Sequence, residues 1–157
     1  MLGVGDKAPT IDLRGFDDKQ YSLGRHWTLA LFFKTSCPTC RYAWPFYERL
    51  YRAYHKAGLQ VLGISQHDEA RTRDFGKEYG TTFPLLIDKE LWVSKEYDPD
   101  FVPTGFLIDP AGQITDTAAG WNRQEFRKLG SEIAGSLGVQ AKTLIAPNED
   151  VVSFKPG

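Results

Sequence analysis

The sequence of 157 residues is the length of one domain, and at that size roughly two-thirds of the unfolded surface is buried on folding, so a core forms without staples. Its composition, 41% hydrophobic, 25% charged and 13% aromatic, excludes a disordered chain. With 20 acidic against 19 basic side chains and a net charge of -1, it lacks the basic surplus that nucleic acid or an anionic membrane selects. No apolar run reaches membrane-spanning length, and residues 1–7 lack a basic stretch followed by an apolar one, so the chain as written reads as soluble. Its compartment stays open: cytoplasmic as it stands, extracytoplasmic if a leader or anchor has been removed.

In chain order, residues 11–14 and 20–23 are short strand-like runs around Phe16-Asp17-Asp18-Lys19 and predict a hairpin. Residues 27–34 form a nearly continuous bulky apolar run, the pattern of a strand covered on both faces and the centre of a sheet. Over residues 38–56 the pattern turns helical: Pro38 suits the first turn, Tyr42, Phe46, Leu50 and Tyr54 recur every four residues, and Gly58 follows as a cap. A second buried strand (59–65), a charged helix (69–79) ended by Gly80, a short strand (85–87) and a short helix (90–97) come next. Strands at 104–108 and 113–119 are joined by the tight-turn sequence Asp109-Pro110-Ala111-Gly112. Asn122 caps a last helix, 123–137, that Gly138 ends.

This order predicts one α/β domain over residues 1–140, a central mixed sheet with helices on both faces, and an extended C-terminal tail over 141–157. Trp44, Trp92 and Trp121 read as core or groove-wall aromatics.

The only cysteines, Cys37 and Cys40, are three residues apart, too close for the dispersed framework of a small secreted domain. Such a pair is chemical, structural, or half of a metal site. Cys37 falls where the central strand gives way to a helix, and there the free N–H groups and helix dipole stabilise an anion, favouring a thiolate. Lys34 and Arg41 add positive charge as electrostatic tuning. Cys40, one turn further, shares the helix face and is placed to resolve a mixed disulfide formed at Cys37. His26, His55 and His67 stand at no ligand-like spacing, so no metal or other cofactor is expected, and each reads as a surface or satisfied histidine.

The arrangement of strand, Thr35-Ser36-Cys37-Pro38-Thr39-Cys40 and helix resembles the active site of the thioredoxin superfamily. Pro45, five residues after Cys40, matches the proline that kinks the family's active-site helix. Val102-Pro103-Thr104 resembles its cis-proline loop. The N-terminal hairpin and an extra helix and strand between Cys40 and Pro103 are similar to the TlpA/ResA and AhpC/TSA (redoxin) branch, over about residues 5–137. The resemblance implies a thioredoxin-like fold with an α/β insertion and a thiol–disulfide oxidoreductase serving cell redox homeostasis. It implies Cys37 and Cys40 as catalytic residues and Ser36, Pro38, Val102, Pro103 and Thr104 as the substrate-binding set. Its partners would be protein disulfides or dithiols and an upstream redox partner, and the chain a monomer.

Two departures stand out. Leu31 occupies the position of the family's buried Asp, leaving the proton acceptor for Cys40 unassigned, and Pro38 stands where ResA-type proteins often place an acid. Ser36 also replaces the usual tryptophan. The alternative is a peroxiredoxin-like thiol peroxidase, which would show Pro-x-x-x-Thr-x-x-Cys and a distant Arg; Lys34 stands three residues before Cys37, and Pro103 and Thr104 occupy the region of that Arg. The other alternative is a non-catalytic redoxin-fold binding module.

Overall fold

A computed structural model describes residues 1–157. Strands β1 (Asp12–Arg14) and β2 (Gln20–Ser22) form the antiparallel N-terminal hairpin, tied to the main sheet by a bridge between Gly15 and Leu86 and by the Gln60 side-chain amide, which donates to Ser22 O at 3.0 Å. Strand β3 (Trp27–Phe33) leads into α1 (Pro38–Tyr54), then come β4 (Leu59–Ser65), α2 (Glu69–Glu78), β5 (Leu85–Ile87) and α3 (Trp92–Tyr97). Strands β6 (Thr104–Ile108), β7 (Ile114–Ala119) and β8 (Trp121–Asn122), helix α4 (Arg123–Leu137) and β9 (Phe154–Lys155) complete the chain.

The five-stranded sheet has the order β5-β4-β3-β6-β7, with β3, β4 and β5 parallel and β6 and β7 antiparallel to their neighbours. The continuous apolar run of β3 is explained by this central place. Its side chains alternate with a period of two: Leu29, Leu31 and Phe33 enter the core beneath α1 and α4, while Ala30 and Phe32 enter the opposite core with Tyr97 of α3 and Ile11. The mixed sheet with helices on both faces is the architecture anticipated above. No helix is long and apolar enough to cross a membrane.

Local differences have local causes. Helix α1 ends at Tyr54 instead of residue 56, because residues 55–57 tighten into a 3-10 turn before Gly58, which takes φ 115 as the terminal cap. The helix anticipated over 90–97 begins only at Trp92. Glu90 and Leu91 are left-handed (φ 58 and 60), and this reversal brings the buried Asp88 carboxylate onto the N–H groups of Val93 (3.0 Å) and Ser94 (2.6 Å). Asp88 thus caps the helix from outside the usual position. Trp44 and Trp121 lie in the core, but Trp92 is 64% exposed.

Residues 141–157 carry no helix. They return across the domain, burying Ile145 and Val151 and joining Glu149 to Arg49 of α1 in a two-bond ion pair (2.7 and 2.9 Å). Strand β9 then pairs antiparallel with β8.

Candidate active site

Cys37 occupies the N-cap of α1, with extended backbone angles (φ -76, ψ 119), and Pro38 fills the first helical turn, where a missing N–H loses nothing. The Cys40 N–H donates to Cys37 Sγ at 3.1 Å, so the sulfur takes the role an Asp or Ser side chain has at an ordinary cap. On its other side Cys37 Sγ lies 3.4 Å from the Val102 carbonyl oxygen, to which its thiol donates. Cys37 is half-buried, whereas Cys40 has no exposed surface. Burial, reinforced by the contact with Cys37, pushes the Cys40 thiol well above the ordinary cysteine range, so it is protonated at neutral pH. Both thiols are free.

The Val102–Pro103 bond is cis. Pro103 is buried, and Thr104 is fully buried with its hydroxyl donating to Phe101 O at 2.6 Å. Of the residues singled out from sequence, Lys34, Cys37, Pro38 and Val102 line one open groove of about 420 Å³, joined there by Gln66 and Phe101. Ser36 is exposed beside it, while Thr104 faces away from solvent and acts on Phe101 instead. A larger hollow of about 710 Å³ between the hairpin and α2 contains neither cysteine. No group of three or more metal-ligating side chains is gathered anywhere.

Arg41 is spoken for. Its Nε donates to Thr35 O at 3.0 Å, and its Nη1 approaches Glu78 at 3.4 Å, with the guanidinium over the Tyr79 ring. From the opposite side, His67 Nδ1 receives the Thr35 N–H at 3.3 Å and lies 2.7 Å from its hydroxyl. The residue two before the cysteine is therefore held at its carbonyl, amide and side chain, which fixes the approach of the chain to Cys37. Sequence reading does not reveal this role for His67, because the contact spans 32 residues and follows no motif.

An N–H aimed at Nδ1 makes that nitrogen the acceptor, so we assign the neutral tautomer with its proton on Nε2. Burial first, then Arg71 and Lys34, hold His67 below its ordinary value of 6.5, against a smaller opposing effect of Asp68. The folded state then binds fewer protons at this site than the unfolded state does. The stabilisation is complete above pH 6.5 and is lost as the pH falls through the folded-state value. Denaturation of the wild type and of His67→Ala from pH 8 to 5 should show a stability difference that narrows on acidification; a constant difference would contradict the assigned tautomer.

A family model described as the AhpC/TSA family matches residues 4–117. The chain is 28% identical over 128 residues to thiol-disulfide oxidoreductase ResA of Geobacillus kaustophilus, covering 79% of this chain and 74% of the relative. Among solved structures, the thioredoxin domain of a thiol-disulfide oxidoreductase from Bacteroides vulgatus superposes with a TM-score of 0.75 at 21% identity, covering 85% of this chain and 99% of the other. A thiol:disulfide interchange protein from Bacteroides sp. gives 0.74 at 20% identity, covering 86% and 93%. At those identities the two structures establish the shared thioredoxin-like fold.

Proposed function

The chain belongs to the AhpC/TSA family, and from that premise we propose that it is a thiol–disulfide oxidoreductase in which Cys37 is the attacking sulfur and Cys40 the resolving one. The observation that carries this reading is the asymmetry of the pair: Cys37 at a helix N-cap on an open groove, Cys40 buried one turn behind it. In the reducing direction Cys37 thiolate attacks one sulfur of a partner disulfide. The partner's S–S bond breaks, one partner thiolate leaves, and a mixed disulfide forms. Cys40 then loses its proton and attacks Cys37 Sγ, releasing the second partner thiolate and leaving the Cys37–Cys40 disulfide. The partner gains two electrons and this chain loses two.

Negative charge on Cys37 Sγ is met by the Cys40 N–H and the start of α1. Val102 and Pro38 border the groove through which a partner sulfur approaches, and the Thr35 clamp keeps Cys37 at its mouth. Leu31 lies in the core where the family's buried acid would stand, so that position supplies no proton acceptor for Cys40. The partners are protein disulfides or dithiols, and the chain acts as a monomer.

Two assays on the purified protein separate the classes. With dithiothreitol it should reduce the interchain disulfides of insulin, and the acceleration should require Cys37. With hydroperoxide in place of insulin, turnover should be at least about tenfold slower, a difference of roughly 1.4 kcal/mol in barrier. Fast, Cys37-dependent peroxide reduction would move the protein to the peroxidase class.

A further inference from the structure

Residues 154–157 reach the catalytic groove from the far end of the chain. Their path is set by the β8–β9 pairing, Trp121 opposite Lys155 and Asn122 opposite Phe154, and by Lys155 Nζ resting 5.5 Å above the Tyr42 ring of α1. Beyond that ladder two contacts fall on the site itself. The hydroxyl of Thr39, the residue between the proline and the second cysteine, donates to Pro156 O. Gly157 lies against Phe101 and Val102 so closely that a Cβ there would stand 2.6 Å from Val102 O, the oxygen that also receives the Cys37 thiol. Gly157 lines the same groove as Cys37 and Pro38.

The approach is accommodated from the other side by Gly120. It takes φ 66, and a Cβ on it would stand 3.0 Å from Lys155 O and 3.2 Å from Gly157 N. The same residue donates its N–H to Pro103 O at 2.7 Å, so the link between β7 and β8 touches both the cis-proline loop and the tail. Yet the tail is held lightly. Pro156 and Gly157 are exposed, and a two-residue ladder with one side-chain hydrogen bond and one cation–π contact belongs to the low-stability end of a structure.

On the thiol–disulfide reading above, we infer that residues 154–157 form a displaceable strap across one side of the groove, selecting small or flexible disulfides over those carried on a folded surface. A small disulfide reaches Cys37 through the open side. A disulfide carried on a folded surface brings bulk into the groove beside Val102, where Gly157 now lies, and so must first lift the strap. Its apparent affinity is reduced by the fraction of molecules in which the groove is clear. The thiol chemistry is the same in both cases.

Shortening the chain after Ser153 removes the strap and leaves buried Ile145 and Val151 in place. The Cys37-dependent rate toward insulin should rise about five- to tenfold, the scale of one net hydrogen bond with its few packing contacts, while the rate toward oxidised glutathione stays within about twofold. Equal rates before and after shortening, an equal rise for both substrates, or a fall with insulin would each overturn the strap. Where the remaining activity of either protein no longer depends on Cys37, it is the thiol–disulfide reading that fails. A second measurement needs no truncation. In full-length Cys40→Ser carrying a cysteine peptide on Cys37, amide hydrogen exchange at residues 154–155 should quicken at least about fivefold relative to the free protein, and unchanged exchange would overturn the proposal.

Discussion

Replacing Cys37 by Ser should lower insulin reduction to the rate of dithiothreitol alone, and replacing Cys40 by Ser should leave one half-reaction and remove the cycle. The two losses differ in kind. Without Cys37 no sulfur stands at the groove mouth, since Cys40 is fully buried and its thiol is held protonated by that burial. Without Cys40 the attack proceeds, one partner thiolate leaves per chain, and the mixed disulfide persists until an external thiol cleaves it. A stopped-flow trace with excess disulfide should therefore show a burst of one equivalent in Cys40→Ser and none in Cys37→Ser. Steady turnover by Cys40→Ser at near the wild-type rate would show that an external thiol resolves the adduct and that Cys40 is dispensable.

Trp44→Ala should be the most damaging change outside the cysteines. Trp44 is fully buried on α1, one turn past Cys40, with its ring 4.2 Å from Phe33 of the central strand and 5.1 and 5.4 Å from Phe75 and Phe83. Its indole N–H donates to Thr81 Oγ1 at 2.9 Å. The substitution leaves a cavity and strands the Thr81 hydroxyl, a loss of about 3–5 kcal/mol against a total stability of about 5–15 kcal/mol for such domains. The helix that presents the cysteines is anchored here. Urea denaturation should show the midpoint drop, and the shielded Cys40 should become alkylatable under conditions where the wild type is protected. A loss below about 1 kcal/mol would mean that the aromatic cluster relaxes to fill the space.

Much of the architecture is written in local pattern. The apolar run before Cys37 reads as a doubly covered strand from its shortness and bulky residues, and β4, β5, β6 and α4 have the limits read from their residues because buried periodicity and caps such as Asn122 and Gly138 are local signals. What was illegible depends on contacts between distant residues. Asp88 reverses the backbone at Glu90 and Leu91 to cap a helix from outside, a choice no periodicity reveals. The two-residue strands β8 and β9 are too short to show alternation. His67 meets Thr35 only because β3 and β4 run in parallel register, and the tail meets Thr39 across 117 positions. At the site, sequence named Thr104 among substrate-binding residues, but its side chain is turned into the protein to hold Phe101. A loop's neighbours are readable; which of its faces meets solvent is set by packing.

The division of labour between the two sulfurs is decided most directly by mass. Reduced Cys40→Ser and Cys37→Ser proteins, each mixed with a peptide disulfide and quenched in acid, should be digested and their adducts located. The half-buried thiol on the groove and the buried one behind it predict a single peptide adduct at Cys37 in the first protein and essentially none in the second. Adducts forming on Cys40 of Cys37→Ser at a comparable rate would contradict the assignment of nucleophile and resolver.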